Sequence, residues 1–169
     1  MKDLNFNFKY FGQYQNFDKL KNLVKELTEE DWRYFTKRQT IASENAYTIP
    51  LIFPRKSTLN SNEHKHFEMF EEHLFAIEQS VSLTAKRAIL VKLPAGNSIN
   101  RHKDTGEFLS KNKRIHLPVI TNSLCSFVVD DEEMVIPEGE LWEINNTGKY
   151  HSVHNRGEID RIHLIVDMG

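Results

Sequence analysis

A histidine and an aspartate two residues apart, His102 and Asp104, form the first pair in the sequence that could do chemistry. On a β-strand, residues i and i+2 point to the same face, with Cα atoms roughly 7 Å apart. An imidazole and a carboxylate arranged in this way can both reach one metal ion. Because such a pair also occurs by chance, a metal site requires a further ligand from elsewhere in the chain.

Four other histidines in the second half of the chain could supply that ligand, and we expect one or two of them to do so. They are His116, His151, His154 and His163. Two histidines and one carboxylate are typical of non-haem Fe(II) sites, where they leave other coordination positions open. A structural zinc site would fill all four positions, typically with cysteines, and this chain contains a single cysteine, Cys125.

An arginine lies within an apolar segment, ten residues after His151. Alternation along a strand over 159–167 puts Arg161 on the same face as His163 and Asp167. A guanidinium in such a strand is costly unless it pairs with an anion, and its planar fork suits a carboxylate. A dicarboxylate that also chelates the metal would explain the arginine and the histidines together.

The composition excludes several other classes of protein. The chain has 169 residues, 24 of them acidic and 22 Lys or Arg, with a net charge of −2; a nucleic-acid partner would require a basic face. A single cysteine excludes an intrachain disulfide framework. No apolar run reaches a membrane span, and the N-terminus lacks an apolar signal core. We therefore expect a cytoplasmic globular protein with no membrane or nucleic-acid partner.

Helices are predicted to dominate the first half of the chain. Apolar residues at three- and four-residue steps predict one helix over 17–28 and another over 62–80. Residues 28–31 resemble a capping box that begins a second, short helix, and residues 46–53 resemble a strand that Pro50 confines to an edge or a bulge. Three histidines of the long helix have acidic neighbours and are interpreted as solvent-exposed: His64, His66 and His73.

The second half of the chain is predicted to be β-structure, because six of the seven glycines follow residue 95 and about seven short apolar segments alternate with turns. The segments are 88–93, 114–120, 125–129, 134–136, 140–144, 151–154 and 159–166. The acidic run 130–133 is interpreted as an exposed hairpin turn. This pattern predicts an α+β, mainly β protein, a sandwich or barrel closed by the N-terminal helices. We expect one domain over 1–169, with 1–86 as support and 87–169 as barrel core.

Several short motifs follow one another in an order that is more specific than any of them alone. They are Pro94-Ala-Gly96, His102-Lys-Asp104, Arg114-Ile-His116, Gly139-Glu-Leu-Trp142, His151-Ser-Val153 with Asn155, and Arg161-Ile-His-Leu-Ile-Val-Asp167. In this order the sequence resembles the aspartyl/asparaginyl β-hydroxylase family of Fe(II)/2-oxoglutarate dioxygenases, which includes proline cis-4-hydroxylases. The resemblance implies a double-stranded β-helix, the jelly-roll or cupin-like barrel, with the N-terminal helices packed on one face.

The resemblance also implies roles for particular residues. The implied catalytic iron ligands are His102, Asp104 and His151. Arg161 would bind the distal carboxylate of 2-oxoglutarate, whereas Arg114 and His116 would contact its metal-proximal end. Dioxygen would be the oxidant and ascorbate the reductant. The retained carboxylate of Asp104 favours hydroxylation over halogenation, which needs that position vacated for halide.

Alternatives remain open at several of these positions. His151 and His154 would face opposite sides of one strand, and the ten-residue spacing to Arg161 favours His151. His163 could line the site or be a hydrogen-bonded core residue. Arg114 could instead belong to a basic surface turn with its neighbouring lysines.

The surroundings of the site are less well defined by the sequence. Near Val91, where some members of the family use a serine to hold 2-oxoglutarate, this chain has no hydroxyl group. The loop over 105–113 would lie at the mouth of the site and could act as a lid. Further candidates for substrate contact are Arg101, Trp142, Tyr150 and Arg156.

The leading hypothesis is an Fe(II)/2-oxoglutarate-dependent dioxygenase that hydroxylates a small-molecule or peptide substrate. That substrate would be an amino acid, or an Asp-, Asn- or Pro-like side chain within a peptide. The alternative is a cupin-like metal-binding protein with a non-oxidative function, such as an isomerase, a hydrolase or a small-molecule sensor. A structural binding module with unrelated histidines is the least favoured hypothesis.

Overall fold

The computed structural model describes residues 5–33, 45–52 and 62–169. The helices in these ranges are α1 (Phe17–Lys25), α2 (Glu29–Arg33), α3 (Asn62–Val81) and α4 (Glu107–Lys111). The strands are β1 (Phe8–Gln13), β2 (Tyr47–Ile52), β3 (Ala85–Leu93), β4 (Ser98–His102), β5 (Lys113–Ile120), β6 (Cys125–Val129), β7 (Glu132–Met134), β8 (Glu140–Ile144), β9 (His151–Asn155) and β10 (Arg161–Met168). Among the described residues, no helix is both long enough and apolar enough to cross a membrane.

The strands form two antiparallel sheets. The larger sheet has the strand order β1-β8-β5-β10-β3-β2, and the smaller has the order β4-β9-β6-β7. The two sheets enclose a common apolar core. This arrangement confirms the predicted fold class, an α+β, mainly β protein built on a jelly-roll or cupin-like barrel.

Apolar side chains form a core on each face of the larger sheet. The outer core lies between that sheet and the N-terminal helices, where Leu20 and Phe70 are fully buried. The inner core fills the barrel. Side chains of β10 alternate between the two cores, since Leu164 and Val166 lie in the outer core and Ile165 lies in the inner core. The helices therefore cover the outside of the barrel and leave its interior available for a site.

Several predicted local features are confirmed. Helices α1 and α3 occupy the predicted ranges within a few residues. The backbone N–H of Thr28 donates to Asp31 Oδ2 (2.8 Å), and the N–H of Asp31 donates to Thr28 Oγ1 (3.3 Å), as expected for a capping box. Strand β2 is an edge strand with a register shift beside Pro50. The predicted last residue of that strand, Phe53, lies outside the described residues.

The prediction that the α3 histidines are solvent-exposed is wrong for two of them. His66 is 4% exposed and its Nε2 lies 2.9 Å from Asp31 Oδ1, whereas His73 is 2% exposed and its Nδ1 lies 2.7 Å from the hydroxyl of Tyr14. His66 faces α2, and His73 faces the segment between β1 and α1. The side chain of His64 lies outside the described residues.

The predicted strands also differ from the observed ones in two places. Strand β1 is not among the predicted segments, and its two consecutive exposed residues, Lys9 and Tyr10, depart from the alternation of a half-buried strand. Strand β7 covers Glu132–Met134, so the acidic run supplies both the turn at 130–131 and the first part of the returning strand. The whole run is exposed, as predicted.

Candidate active site

Pairing of β4 with β9 brings two histidines side by side. His102 ends β4, His151 begins β9, and the two are direct partners in the antiparallel register. Their ring centroids are 4.2 Å apart. The Nδ1 of His102 donates to the carbonyl of Asn100 (2.7 Å), which leaves the lone pair of Nε2 available as a ligand.

The third member of the cluster, Asp104, lies beyond the end of β4 and not on the strand as predicted. Its backbone N–H donates to the carbonyl of Asn146 (3.0 Å), and its Oδ1 lies 3.6 Å from His102 Nε2. One potential ligand atom from each of His102, Asp104 and His151 lies within 4.8 Å of the others. Two imidazoles and one carboxylate in this arrangement fit the donor set of a non-haem iron site.

The structure separates His154 from this cluster. Its two ring nitrogens lie 3.1 Å from the hydroxyls of Ser98 and Ser152. His151 and His154 face opposite sides of β9, so the geometry agrees with His151 as the member of the cluster.

A cavity of about 240 Å³ lies inside the barrel, between the two sheets. All six residues predicted for the metal and the cosubstrate lie in its wall: His102, Asp104, Arg114, His116, His151 and Arg161. The ring of Phe127 lies near both His151 and Arg161. It stacks on His151 with centroids 6.0 Å apart, and it lies 5.8 Å from the guanidinium carbon of Arg161.

Arg161 is a buried cation with no carboxylate partner among the described residues. It is 2% exposed, and its Nη2 donates to Nδ1 of His163 (2.8 Å). Burial lowers the pKa of Arg161 to about 10, so the guanidinium keeps its charge at neutral pH. An unpaired buried charge is costly, which makes this end of the cavity a place for an anion. His163 is a hydrogen-bonded buried residue behind Arg161 and does not line the cavity.

His116 lies in the wall with both ring nitrogens lacking a hydrogen-bond partner within the described ranges. Burial and the nearby charge of Arg161 hold the pKa of His116 well below its ordinary value, so the ring is neutral. A neutral imidazole carries one N–H donor and one acceptor. Leaving both unsatisfied costs free energy, which favours a polar ligand in the cavity.

Arg114 is held by two carboxylates, so the alternative of a basic surface turn is wrong. Its Nη1 donates to Oδ2 of Asp104, and its Nε donates to Oδ1 of the buried Asp167 (2.8 Å). Asp167 also accepts from Nε of Arg87 (2.6 Å). A contact between Arg114 and a cosubstrate would therefore be shared with the carboxylate of Asp104.

The protonation states in the cluster suit metal binding. Burial would raise the pKa of Asp104, but the neighbouring ring of His102 and the charge of Arg114 hold it well below the usual range. Burial lowers the pKa of His151 to about 4. The carboxylate of Asp104 beside the ring raises the pKa of His102, so a proton competes with a metal there. Metal ligands must be an ionised carboxylate and neutral imidazoles, which Asp104 and His151 already are at neutral pH.

Comparison with known proteins adds an independent observation. A family model described as aspartyl/asparaginyl beta-hydroxylase matches residues 14–169, nearly the whole chain. The chain belongs to the aspartyl/asparaginyl β-hydroxylase family. It is therefore an enzyme of the oxygenase type, a hydroxylase. A search of curated proteins finds no match to the sequence.

Solved structures of oxygenases share the fold of this hydroxylase. A Pseudomonas putida prolyl-4-hydroxylase superposes with a TM-score of 0.58 at 15% identity, covering 97% of this chain and 93% of that one. A 2OG-Fe(II) oxygenase family oxidoreductase from Burkholderia pseudomallei gives 0.59 at 11%, covering 90% and 77%. The viral collagen prolyl hydroxylase of Paramecium bursaria Chlorella virus-1 gives 0.52 at 9%, covering 97% and 96%. Likeness at these identities shows the fold alone.

Three residues in or beside the cavity of this hydroxylase were missed by sequence reasoning. Thr48 lines the cavity from β2 and is the direct cross-strand partner of Val91, so it brings a hydroxyl group to the place where Val91 lacks one. Arg87 lines the cavity and forms an ion pair with Asp167. Asn146 contacts Asp104 from the loop after β8. Pairing of β2 with β3 could have suggested Thr48, but no local pattern marks Arg87 or Asn146.

The residues proposed for substrate contact do not line the cavity. Arg101 stacks on the ring of Tyr150 (4.3 Å), Arg156 pairs with Glu133, and Trp142 donates to Glu140. The loop predicted over 105–113 contains the short helix α4. From that helix the ring of Phe108 lies 5.4 Å from the guanidinium carbon of Arg87, which lines the cavity. A lid function for this segment stays a prediction.

Proposed function

We propose that this hydroxylase is an Fe(II)- and 2-oxoglutarate-dependent dioxygenase that hydroxylates an unactivated C–H bond of an amino acid or of an Asp-, Asn- or Pro-like side chain in a peptide. The observation that carries the proposal is one cavity lined both by a two-histidine, one-carboxylate cluster and by a buried arginine that has no carboxylate partner among the described residues. The reaction needs a metal chelate and a carboxylate anchor in one space. We propose that both halves of the chain act as one domain, because both supply strands to the larger sheet.

In this proposal His102, Asp104 and His151 hold Fe(II). The register of β4 and β9 fixes the two imidazoles relative to each other, and the pKa values of Asp104 and His151 keep both in the ligand form at neutral pH. Within the described ranges the cluster has three donors and no thiolate, which favours an open catalytic site over a closed structural one.

Arg161, His116 and Thr48 would bind 2-oxoglutarate. The guanidinium of Arg161 can donate two charge-assisted hydrogen bonds to the distal carboxylate, while the hydroxyl of Thr48 can donate a further one. The unpartnered nitrogens of His116 lie in the same wall and can bond to the opposite end. Bound 2-oxoglutarate would then give a hydrogen-bond partner to the polar group of each of these residues.

When held by His102, Asp104 and His151, the metal would supply oxidation with 2-oxoglutarate and O2, in which one oxygen atom of O2 enters the substrate C–H bond and the other enters succinate as CO2 is released. The protein orients the reactants and limits the access of water. Apolar walls at Ile99, Phe127 and Val153 adjoin the cluster. Such walls strengthen the electrostatic contacts made by Asp104 and Arg161 and shield the reacting centre.

Succinate formation from 2-oxoglutarate tests the proposal. The protein is supplied with Fe(II), O2 and ascorbate as reductant, and free proline, aspartate, asparagine and short peptides containing them are screened for stimulation. We expect His102→Ala and His151→Ala to abolish turnover, because each removes an imidazole ligand. His154→Ala should retain it, because that ring faces Ser98 and Ser152.

Anaerobic titration of the Fe(II) protein with 2-oxoglutarate separates this function from a non-oxidative one. The chelate of Fe(II) by 2-oxoglutarate gives a visible charge-transfer band, which a metal-binding isomerase, hydrolase or sensor would lack. A protein that binds Fe(II) but shows no band and forms no succinate would contradict the proposal.

A further inference from the structure

Asn146 contacts Asp104 through both its backbone and its side chain. Its carbonyl accepts the backbone N–H of Asp104 (3.0 Å), and its side-chain Nδ2 donates to Asp104 Oδ2 (2.6 Å). The residue is 1% exposed and lies in the loop between β8 and β9, 42 positions from Asp104. An ionised carboxylate can only accept hydrogen bonds, so the amide must present its nitrogen to it.

Among the described residues, the two side chains that donate hydrogen bonds to Asp104, those of Asn146 and Arg114, share one of its oxygens. Arg114 Nη1 also donates to Oδ2. The other oxygen, Oδ1, faces His102 Nε2 at 3.6 Å. The environment therefore distinguishes the two carboxylate oxygens, which are chemically equivalent in a free aspartate.

We propose that Asn146 is a positioning residue that, together with Arg114, holds Oδ2 of Asp104 and leaves Oδ1 alone to bind the metal. This inference rests on the proposed function, because it takes Asp104 as a ligand. A carboxylate held by one oxygen binds the metal through the other and occupies a single coordination position. The positions needed by 2-oxoglutarate and O2 then stay available.

The loop that carries Asn146 is anchored independently of the cluster. The backbone N–H of Asn145 donates to the carbonyl of Asn7 (3.0 Å), and its side-chain Nδ2 donates to the carbonyl of Phe6 (2.9 Å). Its Oδ1 accepts the N–H of Gly148 (3.2 Å). The segment before β1 therefore fixes the loop, and the loop can position Asp104 without help from a metal.

Metal affinity distinguishes a positioning role from a structural one. Mn(II) is titrated into the metal-free protein under anaerobic conditions, and the thermal midpoint of the metal-free protein is measured alongside. We expect Asn146→Ala to weaken Mn(II) binding about 10- to 100-fold, the range found when groups that orient ligands are removed. Asn146→Ser, which has a smaller volume change and keeps a hydroxyl donor, serves as a second variant if the alanine variant does not fold.

Asn155→Ala is the matched structural control. Asn155 is also 1% exposed, but its Nδ2 donates to the backbone carbonyls of Leu93, Pro94 and Ile159. We expect this variant to lose thermal stability while its folded fraction binds Mn(II) with wild-type affinity. An equal loss of Mn(II) affinity in both asparagine variants would overturn the proposal.

A double-mutant cycle tests whether Asn146 acts through Asp104. In an Asp104→Ala background, Asn146→Ala should change Mn(II) affinity less than twofold, because the group that it positions is absent. An unchanged affinity in the single variant Asn146→Ala, or the same loss in both backgrounds, would overturn the inference while leaving the metal site intact. A wild-type protein that binds Mn(II) no better than His151→Ala would overturn the proposed function as well.

Discussion

Arg161 combines a cost in stability with a function in binding. Its guanidinium is buried, charged and without a carboxylate among the described residues. Replacing a buried unpaired charge with an apolar side chain of similar volume removes its desolvation cost. We therefore expect Arg161→Met to unfold at the same or a higher denaturant concentration than the wild-type protein, with both free of 2-oxoglutarate, and to bind 2-oxoglutarate about 10- to 100-fold more weakly, as expected for loss of charge-assisted hydrogen bonds.

Chemical denaturation with and without 2-oxoglutarate measures both effects. In the wild-type metal-bound protein the cosubstrate should raise the unfolding free energy, since it binds only the folded state. This increase should nearly disappear in Arg161→Met. A variant that is strongly destabilised without cosubstrate would show instead that the arginine serves the fold.

The residues of the cluster could be predicted from the sequence, but their orientation could not. The types and order of His102, Asp104, His151 and Arg161 identify them, and the structure brings all four to one cavity. The contact between Asn146 and Asp104 joins positions 42 residues apart in different loops, and Thr48 reaches the cavity through pairing of β2 with β3. Such contacts depend on the assembled sheets and leave no periodic signal in the chain.

At the scale of elements, the range of α3 can be predicted from the sequence, but its exposed face cannot. The spacing of Phe67, Phe70, Leu74 and Ile77 identifies one apolar face. The burial of His66 and His73 depends on Asp31 and Tyr14, which belong to other segments. A histidine beside acidic residues has the same local sequence whether solvent or a second helix faces it.

Gly139 fixes the junction between β8 and the segment that joins β1 to α1. It has a φ of +79°, and a Cβ there would lie 2.6 Å from Gln13 Nε2 and 3.1 Å from Phe17 Cγ. Its carbonyl accepts the N–H of Tyr14 (2.8 Å), and its N–H donates to the carbonyl of Pro118 (3.0 Å). Three elements therefore approach the backbone of one residue.

We expect Gly139→Ala to lower the unfolding free energy by about 2–5 kcal/mol, from backbone strain of about 1–2 kcal/mol and overpacking of about 1–3 kcal/mol. Gly96→Ala is the matched control, because Gly96 has a similar φ of +71° but no atom within 4 Å of the added Cβ. Gly96→Ala should lose only the unfolding free energy that backbone strain costs. Guanidinium denaturation of both variants measures the difference, and equal losses would contradict the role of close packing at Gly139.

At the scale of the whole molecule, neutral histidines are buried in both cores. His73 lies in the helical layer, and His116 and His163 lie in the barrel. Burial lowers the pKa of each below the ordinary value of 6.5, and strongly so for the latter two. The unfolded chain therefore binds more protons than the folded protein once the pH falls below about 6.5.

The unfolding free energy of the metal-free protein should consequently fall as the pH is lowered from 7 to 5. Each histidine that is protonated only in the unfolded chain contributes a slope of up to about 1.4 kcal/mol per pH unit. His73 is distant in sequence and in layer from the metal cluster, so His73→Gln should make the slope shallower without altering the cavity. Urea denaturation at pH 7, 6 and 5 measures the slope for wild type and variant.

The same urea denaturation series shows whether the unfolding free energy falls with pH and whether a buried histidine is the cause. Asn155→Ala should lower the unfolding free energy by a similar amount at every pH, because it removes neutral hydrogen bonds and no titrating group. The difference in unfolding free energy between His73→Gln and the wild type should instead become smaller as the pH falls. Only the wild-type protein has an imidazole at this position that must stay unprotonated in the folded state. Parallel curves for wild type and His73→Gln would contradict a buried neutral histidine at this position.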